Sequence, residues 1–148
     1  MGNRGVIVTE NRDLGVYVHW HGDPDTVAAF LLYCKLKGFR PPEEDPYGWA
    51  CLVTVFSNMF MRDGEGIGVD VYESLDLDNW DNGYYVIKDW EIIQMSRHQE
   101  IGEIDDVYLD LISSHQPKHL KLDQGVLIGR TYDTERIHQT DEQERQSR

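Results

Sequence analysis

Cysteine, positive charge and long apolar runs are all scarce in this chain of 148 residues, and each shortage excludes a class of protein. Only Cys34 and Cys51 are present, both in apolar helical patterns and neither in a Cys-x-x-Cys pair. A disulfide scaffold and a structural zinc site are therefore not expected, and both cysteines are expected as buried free thiols. No run of about 18 apolar residues occurs, so no membrane span is expected. Residues 1–9 lack the basic flank and apolar block of a secretory signal, which predicts a cytoplasmic location. Lys and Arg together number 14 against 27 Asp and Glu, a formal net charge of −13. Charge of that sign repels nucleic acid and anionic membrane and attracts basic protein surfaces. Catalytic signatures are also missing. No Gly-rich phosphate loop precedes a helix, no Gly-x-Ser-x-Gly elbow occurs, and Ser57, Ser74 and Ser96 have no motif around them. These absences point to a non-catalytic protein without a cofactor.

What is present reads as one domain over residues 1–132, followed by a polar tail at 133–148. Gly5–Thr9 and Leu14–Trp20 read as two strands of a hairpin, with Tyr17, His19 and His21 on one face of the second. Asp23-Pro24-Asp25 opens a helix: a cap, a proline at the first position and an acid at the positive end of the dipole. Val27, Phe30, Leu31 and Cys34 form its apolar stripe, and Gly38 ends it. A second helix is expected from Tyr47 to Phe60, with Trp49, Leu52, Val53, Phe56, Met59 and Phe60 at helical spacing. Ile67–Tyr72 reads as a strand. Asn82-Gly83 is a strong hairpin signal. Tyr84–Ile87 and Trp90–Ile93 flank Lys88-Asp89 as a tight hairpin or one bulged strand. A third helix from about Glu103 to Ser114 would bury Ile104, Val107, Tyr108, Leu111 and Ile112. Val126–Ile128 is a candidate last strand. The expected fold is α+β: a mostly antiparallel sheet with two or three amphipathic helices packed on it.

The negative charge is concentrated. Fourteen acids lie between Asp63 and Asp110, opposed only by Lys88 and Arg97, while the remainder of the chain is nearly neutral. Duplex DNA carries about one charge per 1.7 Å of axis. A dense carboxylate surface could therefore occupy the basic groove of a nucleic-acid-binding protein, with fast and salt-sensitive association. The expected contact set is Asp70, Glu73, Asp76, Asp78, Asp81, Glu103, Asp105, Asp106 and Asp110, with Trp80 and Tyr84 as aromatic anchors. The expected partner is a basic protein surface rather than nucleic acid or membrane; the sequence leaves the oligomeric state open. Asp76, Asp78, Asp81 and Asn82 depart from the calcium-loop spacing, and turn formation explains them.

An alternative centres on His19, His21 and Asp23. Two histidines at i and i+2 before an aspartate resemble the His-x-His-x-Asp-His motif of metallo-β-lactamase-fold hydrolases, except that Pro24 replaces the final histidine. The resemblance implies a metal-dependent hydrolytic domain; the free N–H groups and dipole where the strand meets the helix offer instead a small ligand-binding site, with either histidine as the polar contact.

A wider resemblance runs over residues 4 to 95. Gly15-Val16-Tyr17-Val18-His19-Trp20-His21-Gly22, then Tyr47-Gly48-Trp49-Ala50, then an acidic Asn-Gly segment before Tyr85-Val86-Ile87-Lys88-Asp89-Trp90, resemble a group of small acidic proteins of bacteria, phages and mobile elements. That group has no established activity to carry over. Its setting implies an inhibitor of host defence, of the anti-CRISPR or antirestriction kind.

Overall fold

Alternating apolar residues, Asp23-Pro24 and the turn residues build five strands and three helices in the computed structural model, which describes residues 2–61, 66–123 and 125–126. The strands are β1 (Gly5–Thr9), β2 (Leu14–Val18), β3 (Ile67–Val71), β4 (Tyr84–Lys88) and β5 (Glu91–Met95). The helices are α1 (Pro24–Leu36), α2 (Tyr47–Phe60) and α3 (Asp106–Ser114). They form an α+β domain around one mixed sheet of order β3-β2-β1-β4-β5. Only β1 and β4 pair in parallel; the other neighbours are antiparallel. The candidate strand over 126–128 lies largely, and the tail at 133–148 wholly, outside the described residues.

One face of the sheet carries the helices. Ile7, Val16, Val18, Tyr85 and Ile87 point into a core shared with Val27, Phe30, Leu31 and Cys34 of α1, Trp49, Leu52, Val55 and Phe56 of α2, and Leu109 and Ile112 of α3. Phe30, Phe56 and Phe60 form an aromatic centre with ring centroids 4.7 to 5.6 Å apart. Asp23 caps α1 by accepting from the Thr26 N–H at 3.1 Å, and Pro24 lacks the donor that this first turn would leave unpaired. Cys34 and Cys51 are free and buried, and burial pushes the Cys34 thiol well above its ordinary range. Buried, protonated thiols of this kind are inert.

The other face is covered differently. β3 is antiparallel to β2, and β2 to β1, so β3 and β4 run the same way and cannot be joined by a tight hairpin. The twelve residues between Val71 and Tyr84 cross the sheet instead. Tyr72, Leu75 and Leu77 of this strap pack on Val6, Val8 and Val86, beside Tyr17 and Tyr84. Gly83 has φ 66°, as a turn glycine should, yet Asn82-Gly83 ends a crossover and makes no hairpin. The turn signal was local; the strand order is set by burial of two faces. The hairpin is at Asp89-Trp90, where both residues have positive φ (49° and 61°), and the ladder also slips between Val86 and Ile87, so the tight turn and the bulge coexist. Burial of the Trp90 ring and donation from its Nε1 to Phe39 O at 2.8 Å offset the strain.

α3 begins at Asp106, capped by Asp105, a few residues later than its spacing suggested. Leu109, Ile112 and Ser113 are its buried residues. Val107 and Leu111, expected in the core, are 74% and 44% exposed. Ile104 and Tyr108, also expected there, are partly buried against the core.

The strap presses on β2 at Gly15. A Cβ on Gly15 would stand 2.6 Å from Leu75 Cδ1 and 2.7 Å from Ile7 O. Gly15→Val is expected to lower unfolding stability by about 2 kcal/mol in urea titration. Unchanged stability would mean that the strap does not press on β2.

Candidate interaction surface

The strap alternates. Leu75 and Leu77 point to the sheet, so Asp76 and Asp78 point to solvent, and Glu73 joins them. The strap opens with a 3-10 turn at Tyr72–Ser74 and continues through turns and bends, with its apolar residues toward the sheet and its acids toward solvent. Asp70 lies on the adjoining β3, on the strap side of the sheet, because it pairs with Gly15 in the register that places Val16 toward the helices.

Asn79 occupies the next inward position and organises the end of the strap. Its side-chain nitrogen donates to Asp76 O (3.0 Å) and Gly83 O (2.9 Å), and its oxygen accepts from the N–H groups of Asn82 (3.2 Å) and Gly83 (3.0 Å). Buried Asn82 donates from Nδ2 to Asn3 Oδ1 (2.6 Å) and Arg4 O (2.9 Å) and accepts from Gln99 at 3.1 Å. Both amides are satisfied, so the loop is held by directional bonds to the start of β1. On this braced loop Trp80 is 83% exposed. Arg97 donates to Trp80 O at 3.2 Å. The Tyr84 ring, expected as a second anchor, is half-buried in the cluster beneath the strap and belongs to the packing instead.

Part of the charge is neutralised from a distance. Arg4 Nε lies 2.9 Å from Asp81 Oδ2, and its Nη1 lies 3.9 Å from Asp76 Oδ2. The Arg4 backbone N–H also donates to Asp81 at 2.9 Å. The Arg4 side-chain hydrogen bond, then its backbone N–H, hold the Asp81 carboxyl below the usual carboxylate range. Asp81 is therefore a structural acid more than a contact acid. Lys35 similarly faces Asp89 (3.5 Å) and Glu91 (3.3 Å).

The remaining acids are elsewhere. Asp105 caps α3 by accepting from the Val107 N–H at 2.8 Å. Glu103, Asp105 and Asp25 line a cleft of about 240 Å³ with Ala29, Ile104 and Tyr108. Asp25 accepts there from the Gly102 N–H at 2.7 Å. Asp106 and Asp110 ride on α3. Because α3 packs on α1, over the helix-bearing face, this group and the strap group lie on opposite sides of the sheet. The nine acids do not form one surface. They form two, with the sheet between them.

The histidine alternative separates in the same way. His19 Nδ1 lies 2.8 Å from the Tyr17 hydroxyl, on the strap side. The His21 ring stacks on Phe60, with centroids 3.8 Å apart, on the helix side. β2 ends at Val18, so the strand alternation that would align the two rings does not continue to His21. Asp23 is committed to Thr26 and accepts from Asn3 Nδ2 at 2.9 Å. The expected ligand trio is thus taken apart by packing and capping. Among the described residues no group of three or more His, Cys, Asp or Glu side chains is placed to hold a metal.

Arg4 and Asn79 carry no sequence motif. Asn79 had one usable signal: it continues the inward parity of Leu75 and Leu77, where a polar residue must find partners. The Arg4 pairing had none, being 77 positions away from Asp81.

The pairing has a pH signature. A carboxyl whose acidity is strengthened by folding contributes stability fully above its unfolded pKa, about 3.9, and loses it as pH falls through the lower folded value. Arg4→Gln should raise the Asp81 pKa toward the ordinary range in a carboxyl-detected NMR titration, and its stability deficit should shrink as pH drops below about 4. An unmoved Asp81 titration would contradict the pairing. No protein-family model matches this chain, and neither curated proteins nor solved structures gave a match to it.

Proposed function

We propose that the chain is a non-catalytic interaction module that docks a basic protein surface through its strap, with Asp70, Glu73, Asp76, Asp78 and Trp80 as the contact set. The carrying observation is Trp80: a tryptophan 83% exposed on a loop braced by two buried asparagines. Tryptophan is among the residues that dominate interface energies. Bracing the loop in advance removes ordering entropy from binding. The carboxylates around it supply the field that steers a cationic partner, and such steering weakens with salt.

The more specific form of this reading is an inhibitor that competes with nucleic acid for a basic groove, as the resemblance to phage and mobile-element proteins suggests. Only the strap carboxylates, not all nine acids, are available for that mimicry. It therefore concerns a short stretch of backbone rather than a full helical turn.

Capture from host extract at low and high salt should identify a basic partner, and calorimetry should then give its affinity. Trp80→Ala is expected to weaken binding about thirtyfold, in the range of an aromatic hot spot. Joint reversal of Glu73 and Asp78 to lysine should abolish salt-sensitive capture, while reversal of Asp106 and Asp110 on α3 should leave it intact. The opposite pattern, with α3 reversal decisive and the strap indifferent, would refute the assignment. Displacement of the partner by duplex DNA would support the mimicry form.

A further inference from the structure

Among the described residues no strand pairs with the outer edge of β3, and that edge is built asymmetrically. In the β2–β3 ladder, Gly66 accepts from the His19 N–H at 2.8 Å and Tyr72 donates to Asp13 O at 2.9 Å, with Gly68 opposite Tyr17 and Asp70 opposite Gly15. The even-numbered residues therefore bond inward. Ile67, Val69 and Val71 turn their N–H and C=O groups outward. The Val71 N–H is closed by its neighbour's carboxylate, since Asp70 Oδ1 accepts from it at 2.8 Å. The backbone groups of Ile67 and Val69 have no partner among the described residues.

The side chains along this edge also differ by face. On the helix side, Val69 and Val71 are 46% and 44% exposed. On the strap side, Gly68 has open space where a Cβ would be, and it borders a groove of about 380 Å³ lined by Tyr17, Asp70, Ser74, Leu75 and Asp76. The groove has an apolar floor and two carboxylates at its rim. A cationic side chain on a short apolar stem fits that chemistry.

We infer that β3 accepts an added strand from the partner, one whose alternate residues are apolar and basic. The inference rests on the strap reading and says how the partner is held. Residues opposite Val69 would lie on the exposed valines. Residues opposite Gly68 and Asp70 would place lysine or arginine in the groove, between Asp70 and Asp76. Strand addition takes its affinity from main-chain bonds and its specificity from alternate side chains. Here the carboxylate on Val71 limits pairing to a short segment and selects for positive charge, which also discourages edge-to-edge aggregation. A second copy of this acidic chain would bring like charge to the same edge.

The test uses a capped synthetic peptide of alternating lysine and valine, Lys-Val-Lys-Val-Lys-Val-Lys, and an analogue N-methylated at each valine. Both carry the same charge, and only the first can pair along its backbone. The full chain should bind the first, with slowed amide exchange at Ile67 and Val69 in NMR spectra. The analogue should bind about thirtyfold more weakly, as expected for two lost hydrogen bonds. Asp70→Asn keeps an acceptor for the Val71 N–H while removing the charge, and should cost about fivefold. Val69→Pro removes only an outward N–H, so the fold should persist by circular dichroism while the difference between the two peptides disappears. Equal binding of both peptides would overturn strand addition and leave the acidic-surface reading standing. Binding by neither, or self-association through β3 in sedimentation, would also overturn it. Failure of the strap reading itself shows elsewhere, in partner capture that survives Trp80→Ala and strap charge reversal.

Discussion

The packing of Tyr72, Leu75 and Leu77 on Val6, Val8 and Val86 is the contact on which the rest of this molecule depends. Three helices cover one face of a five-stranded sheet, and among the described residues the strap covers the other. A mixed sheet with β1 and β4 in parallel needs a crossover, and here the crossover is a strap of turns and bends. Each half-buried apolar side chain in it contributes roughly 1–2 kcal/mol by removal from water. That term closes the second face and sets the strand order, and from Leu75 to Trp80 it leaves alternate residues in solvent. The acids, the tryptophan and the groove beside β3 are consequences of that alternation.

The field is accordingly narrower than a count of charges suggests. Fourteen acids crowd one segment of the chain, yet the fold divides the candidate set across two sides of a sheet. Several are then spent on structure. Asp105 caps a helix, Asp81 is held by Arg4, and Asp70 closes an edge N–H. Asp70 keeps its charge beside Glu73, Asp76, Asp78 and the exposed Trp80 in the proposed contact set.

Much of the fold was legible because its signals are local. β1 and α2 occupy the residues that their spacing indicated, and α1 starts where Asp23 and Pro24 said it should. The α+β class follows from those elements. Failures came where distant burial overrode a short-range cue. Asn82-Gly83 has the glycine conformation of a turn but ends a crossover, because Asn82 is bound to Arg4 and Asn3 rather than to a hairpin partner. Val107 and Leu111 share a helical stripe with core residues but lie beyond the reach of α1. His19 and His21 keep strand spacing on paper, but the strand stops before them. The candidate surface was legible only as a tendency: its acids and Trp80 were visible, while its limits required the sheet between the two acidic groups.

Amide hydrogen exchange across residues 72–83 tests the central claim most directly. A strap that completes the core should protect the N–H groups of Leu75, Asn82 and Gly83 to nearly the degree seen in β1, because they are bound to Tyr72, Arg4 and Asn79. Exchange there at the rate of an unstructured chain, with β1 fully protected, would show that the second face closes without it and would contradict the account.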